Sequence, residues 1–373
     1  MILFSKSVEI INRFQHPSGA YVACPHFDNY QFSWLRDGSF IAYAMDVAGK
    51  FESASKFHRW VNDVLIRYAY KVDRIELAIK NGTALTDKDF LFTRYTLDGL
   101  EDLEEDGWGN FQYDGYGTWL WALNEHLNLT GDLGLMKEAQ DQILLVVKYL
   151  TLVWPLPSYD CWEEHPELLH TYSIAAVYGG LKAVLSMVEM GLQNADIAEI
   201  KRTLAAMKNF IDSFGTGEQG YLKHISPQHI KNPMRSSGID SSLLGLAIPF
   251  GMYELDNPVM RETIQTIKAN LTAPDGGIHR YLGDTYYGGG EWILLTAWLG
   301  WVEFLSGDRN LAADRLSWIE TQADENGWLP EQVDHHLLAP EFLQVWEQKW
   351  GQSATPLLWS HALYIVLYQA MNK

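Results

Sequence analysis

The chain has 373 residues, 47% of them apolar, and its 47 acidic against 28 basic side chains give a formal charge of −19. A surface that acidic repels phosphate, so neither nucleic acid nor an anionic membrane is an expected partner. Two cysteines, Cys24 and Cys161, exclude a disulfide framework and a cysteine-rich zinc site; no stretch approaches 18 uninterrupted apolar residues, and the opening apolar run MILF is too short for a signal peptide, so a cytoplasmic, soluble protein is expected.

In chain order, the segment 3–14 reads as an outer helix, and a loop over 15–36 leads into an apolar helix over 38–48. A Gly/Asp-type turn at Gly49 starts a charged, one-sided helix over 51–79. The pattern then repeats. A long loop over 82–113 precedes the apolar helix 114–128, and the turn at Gly131 precedes the outer helix 134–153. The loop 155–169 precedes 170–190, and the turn at Gly191 precedes 195–213. The loop 216–239 precedes 240–254, and a turn at Asp256 precedes 258–270. The loop 272–289 precedes 290–306, the turn at Gly307 precedes 309–323, and the loop 325–355 precedes 356–371. Gly suits the left-handed residue that ends a helix, and Asp or Asn suits the next N-cap. Six short turns on one side and six long loops on the other describe an all-α closed toroid, an (α/α)6 barrel of six inner and six outer helices over 1–373, with no linker dividing it. Only short stretches such as 20–23 have strand character.

The chemistry falls in those loops. Loop one carries Tyr30, Trp34, Arg36 and Asp37; loop two runs from Gly107 through Trp108 to Gly117. Loop three carries Trp162-Glu163-Glu164, loop five Arg280-Tyr281 and Asp284-Thr-Tyr-Tyr, and loop six Pro330-Glu331-Gln332, with Trp359 inside the last helix. Converging at one end of a toroid, these side chains make a pocket of carboxylates and Arg walled by aromatics. Aromatic faces cover the apolar faces of a sugar ring, and two carboxyl groups can act as acid and base on a glycosidic bond. Each element alone has a plainer reading: an exposed acidic turn for Glu163-Glu164, an ordinary ion pair for Arg36-Asp37, core packing for any single Trp. His335-His336, without spaced partners in the sequence, reads as a surface pair rather than as metal ligands. Gly215–Gly220 spells G-x-G-x-x-G, but it follows a helix and starts none, so no dinucleotide site is expected.

Taken together, these loops resemble glycoside hydrolase family fifteen, the glucoamylase-like family, over nearly the whole chain. The resemblance implies an inverting exo-acting hydrolase in an (α/α)6 barrel. It makes Glu163 the general acid and Glu331 the general base. Glu164, Arg36, Asp37 and Arg280 bind sugar hydroxyls, and Tyr30, Trp34, Trp108, Trp162 and Trp359 line the pocket. No metal and no cofactor is implied. Neither a β-sandwich nor a starch-binding module is recognisable, which points to small soluble α-glucosides such as malto- or isomalto-oligosaccharides releasing β-glucose. Glu291 stands where relatives often carry Pro. An α,α-trehalase is the alternative within the family; an inactive carbohydrate-binding barrel is the alternative outside enzymes. On physical grounds the acid should be protonated by burial beside a second carboxylate, and the base should be ionised.

Overall fold

The computed structural model describes residues 3–102, 108–226 and 238–372; Gly107 of loop two and 227–237 of loop four lie outside them. Thirteen helices of these residues concern the site: α1 Leu3–Phe14, α2 Leu35–Val47, α3 Phe51–Asn81, α4 Asp114–Thr130, α5 Leu133–Glu138, α6 Gln140–Val153, α7 Thr171–Glu189, α8 Ile197–Phe214, α9 Pro258–Leu271, α10 Ile293–Leu305, α11 Arg309–Thr321, α12 Leu343–Trp350 and α13 Leu358–Asn372.

Burial sorts them into two rings. In α10 every residue from Ile293 to Glu303 is buried, so the helix is apolar around its circumference and must be enclosed. Helix α3 buries one stripe, including Phe57, Val61, Val64, Leu65, Val72 and Ile75, and faces water on the other side. The inner ring closes in the order α2, α4, α7, the 3-10 turn Ser241–Leu246, α10, α13 and back to α2. Close packing at one seam depends on glycine: a Cβ on Gly117 of α4 would stand 2.4 Å from the Ala176 carbonyl oxygen of α7, and one on Gly180 of α7 would stand 2.5 Å from that of Gly117. The outer helices α1, α3, α6, α8, α9 and α11 each cover the ring, giving the (α/α)6 barrel expected from the alternation of turns and loops. Helix α7 is long and apolar enough to cross a membrane by length and composition, and here it is a buried wall of the ring.

Three details depart from the sequence reading. The fourth inner element, expected as a helix over 240–254, is only the turn Ser241–Leu246. Pro249 removes a backbone donor and crowds the carbonyl four residues earlier, and Ile248 before it is disfavoured in helical geometry. The outer helix expected over 134–153 is two helices meeting at Ala139. Loop six contains an unexpected helix, α12.

The six long loops are laced in ring order at the N-terminal ends of the inner helices. The two-residue strands β1 Ser33–Trp34 and β2 Arg94–Tyr95 join loops one and two. The Tyr159 N–H donates to the Phe111 carbonyl between loops two and three. Strands β3 Leu169–His170 and β6 His224–Ile225 join three and four. An Asp240–Tyr281 bridge joins four and five, and β7 Glu291–Trp292 with β8 Gln332–Val333 joins five and six. The Leu358 N–H donates to the Ala23 carbonyl at 3.0 Å and closes the circle. Strands β4 Thr216–Gly217 and β5 Gly220–Tyr221 form a hairpin within loop four, where the literal G-x-G-x-x-G lies.

Candidate active site

The laced loops surround a cavity of about 370 Å³. All eleven side chains singled out in the sequence line it: Tyr30, Trp34, Arg36, Asp37, Trp108, Trp162, Glu163, Glu164, Arg280, Glu331 and Trp359. The volume sits at the small end of ligand pockets, roughly 300–1,000 Å³, so it suits a short saccharide.

Its floor comes from loop one. Because β1 delivers the chain straight into α2, Arg36 and Asp37 occupy the first helical turn and are buried. Asp37 there faces the positive end of the helix dipole. The Arg36 guanidinium reaches Asp37 at 3.4 Å, Asp114 at 3.3 Å and Glu163 at 3.5 Å, donates to Gln112 Oε1 at 3.0 Å and lies over the Trp359 ring. Burial opposes the Arg36 charge, but Asp114, Asp37 and Glu163 together more than offset it. Burial pushes the Asp37 carboxyl up to about 7, although Arg36 pulls it back. Asp37 Oδ2 makes no hydrogen bond within the protein.

Glu163 is placed by a tight turn tied at Asp160. Asp160 Oδ1 accepts the N–H groups of Trp162 at 2.9 Å and Glu164 at 2.8 Å, and its carbonyl accepts that of Glu163. The turn forces Glu163 into a left-handed backbone with φ 67°. Its Oε1 then accepts from the Trp34 indole N–H at 2.6 Å and faces Arg36. The neighbouring Glu164 is held by the Tyr281 hydroxyl at 2.7 Å and by Arg280 at 3.6 Å.

Glu331 enters from loop six, anchored by β8 beside it and by its own N–H donating to the Ala354 carbonyl. In a ring of six laced loops, three and six lie on opposite sides. Glu163 and Glu331 therefore enter the cavity from opposite sides of the ring. Glu331 is buried, and its Oε2 makes no hydrogen bond within the protein. Burial pushes its carboxyl up to about 8, against the pull of Arg280 and the hydroxyls of Tyr30 and Tyr286. The ionised state expected for the base is thus opposed by burial here.

Arg280 stands between the two carboxylate sides. Asp284 grips it in a fork at 2.7 and 2.6 Å, and the rings of Trp162, Tyr286 and Trp292 surround it. A hidden charge cluster braces this wall from behind. Lys223 Nζ lies 3.1 Å from Asp240, 3.8 Å from Glu164 and 3.9 Å from Asp160, and the Trp162 indole donates to Asp240 at 3.0 Å. Burial disfavours the Lys223 charge, but Asp240, Asp160 and Glu164 hold it protonated.

Sequence reasoning missed Asp114, Asp160, Lys223 and Asp240, and it missed the rim. Helix α12 carries Trp346 and Trp350 over the mouth, where Trp350 stacks on Trp108 with centroids 6.1 Å apart and Trp346 meets Tyr286 at 5.0 Å. The spacing of Trp346 and Trp350, four residues apart, was the available signal for a one-sided helix.

Fold and site define a carbohydrate-cleaving barrel, and the comparisons agree. The family model described as glycosyl hydrolases family 15 matches residues 3–309, and the chain belongs to that family. It is a glycoside hydrolase. The match ends before Glu331, so loop six rests on the geometry above and on longer relatives. An isomaltose glucohydrolase of Kribbella flavida is 39% identical over 365 residues, spanning 96% of this chain and 89% of its own. A glycosidase variant solved in complex with glucose superimposes with a TM-score of 0.91 at 38% identity, covering 99% of this chain and 96% of that one. A bacterial glucoamylase solved with acarbose, at 19% identity, TM-score 0.73 and coverage of 99% and 55%, shares the fold.

Proposed function

We propose that the enzyme removes one glucose at a time from the non-reducing end of short α-glucosides, isomaltose and isomalto-oligosaccharides foremost, with inversion at the anomeric carbon. The observation that carries this reading is the pair Glu163 and Glu331 on opposite loops of a cavity whose floor is sealed by Arg36, Asp37 and Trp359. A sealed floor admits a chain end and no continuing chain. Asp37 and Glu331 both line the cavity, and neither Asp37 Oδ2 nor Glu331 Oε2 accepts a hydrogen bond within the protein. Carboxyl groups on opposite faces leave room for a water between base and sugar, the arrangement of an inverting enzyme. Glu163 protonates the leaving oxygen and Glu331 activates the water, the order the family resemblance supports. The likeness to the Kribbella isomaltose glucohydrolase supports the linkage.

One observation favours a second reading with the roles exchanged: burial raises Glu331 to about 8, which suits an acid better than a base. Inversion follows either way. The deciding experiment measures glucose release from isomaltose, maltose, longer oligomers and trehalose, with NMR of the first anomer formed. β-Glucose from isomaltose is expected. Glucose from none of them would sink the proposal, and α-glucose appearing first would overturn inversion. Glucosyl fluoride, which needs little protonation, then assigns the roles: the variant that retains its hydrolysis has lost the acid.

A further inference from the structure

The His335-His336 pair is half exposed, as a surface pair should be, but it is not without partners. The fold brings Asp275, from the turn after α9, and Glu291, from β7, to the same point. His336 Nδ1 lies 2.7 Å from Glu291 Oε1 and 3.5 Å from Asp275 Oδ1, and His335 Nδ1 lies 3.7 Å from Asp275 Oδ2. One ligand atom each from Asp275, Glu291 and His335 fall within 4.8 Å of one another. None of the four residues lines the cavity.

Glu291 is the independent sign that this cluster expects a cation. Its side chain is fully buried, its Oε2 makes no hydrogen bond within the protein, and among the described residues it has no Lys or Arg partner. A buried carboxylate without a strong counter-charge is costly. We infer that Asp275, Glu291, His335 and His336 bind one divalent ion of borderline softness, Zn²⁺ foremost, which ties loop five to loop six. Two carboxylates and two imidazoles are a donor set Zn²⁺ accepts, and their charges sum to neutrality with a dication. Tetrahedral bonds of about 2.0–2.1 Å place ligand atoms roughly 3.3 Å apart. His336 approaches Asp275 at Oδ1 and His335 at Oδ2, so the Asp275 carboxylate must turn to present one oxygen to the ion, and the short Glu291–His336 contact must open by about half an ångström to admit it. Two half-exposed imidazoles give the ion a way in. The tie braces the register Glu291↔Val333, the strand pair that carries Trp292 and follows Glu331. It supplies stability to the active-site wall and takes no part in bond cleavage, so it stands whatever the substrate proves to be.

The test uses the full chain stripped with chelator, titrated with Zn²⁺ by calorimetry and followed by thermal melting. One equivalent should bind with a dissociation constant of about 1 μM or tighter, and the melting temperature should rise with Zn²⁺ concentration. The double variant Asp275→Ala/His335→Ala changes two outward-facing residues and should fold. It should bind roughly tenfold more weakly or worse, while its metal-free glucose release matches that of the stripped parent. Glu163→Gln should bind Zn²⁺ as the parent does. The absence of saturable one-to-one binding, unchanged affinity in the double variant, or loss of binding in Glu163→Gln would each overturn the assignment.

Discussion

Replacing Glu331 by Gln should make the protein more stable at alkaline pH while it abolishes hydrolysis. The Glu331 carboxyl rises from 4.5 to about 8 on burial. Between these values the native state holds a proton that the unfolded chain has released, so stability falls as pH rises through that window. At pH 5 little has been lost; at pH 8 most has. At about 1.4 kcal/mol per pH unit, the difference between pH 5 and pH 8 is about 3 kcal/mol. Unfolding entropy of about 2.1 cal/mol/K per residue makes that about 4 °C of melting temperature for a chain of this length. Gln keeps the shape, stays neutral at every pH and can bond the hydroxyls of Tyr30 and Tyr286. Asp160 and Glu291, each raised to about 7, drift the same way in both proteins and cancel in the comparison, while Asp37, whose charge acts on Glu331, adds to the alkaline loss of the parent. Calorimetric melting of parent and Glu331→Gln at pH 5 and pH 8 provides the readout. The parent should lose several degrees more than the variant over that interval. Parallel slopes, or a steeper loss in the variant, would refute the claim that Glu331 is held in its neutral form by burial.

Further predictions concern the rest of the site. Asp37→Ala should lower kcat/KM for isomaltose on the order of 10²-fold, since a charge-assisted bond to a sugar hydroxyl disappears in a desolvated floor; near-normal kinetics in a folded variant would remove Asp37 from the site. Glu163→Gln should lose isomaltose hydrolysis yet keep more of its action on glucosyl fluoride, whereas Glu331→Ala should lose both; the reverse pattern would exchange their roles. Glucose release should persist after exhaustive chelation, and its loss with recovery on one added ion would place a metal in the chemistry itself.

The ring architecture was legible in the sequence because it is written in local signals. Helices buried on all sides are apolar throughout, outer helices show a stripe, and Gly or Asp marks the short turns between them. The fourth inner element is the exception: its apolar run reads as a helix over 240–254, and only the turn Ser241–Leu246 forms. The side chains lining the cavity were legible for a related reason: nearly all of them lie in the long loops that precede inner helices, so their place at the loop end of the ring follows from chain order. What holds those side chains in position was not. Two-residue strands have no periodicity to read, yet β1 with β2, β3 with β6 and β7 with β8 lace the loops into one wall. Lys223 meets Asp160 and Asp240, and His336 meets Asp275 and Glu291, across separations that only ring closure bridges. Burial is decided in the same way. Nothing near Glu331 in the sequence says that Tyr30, Tyr286 and Arg280 will close around it, and its proton affinity is set by the solvent those distant walls exclude.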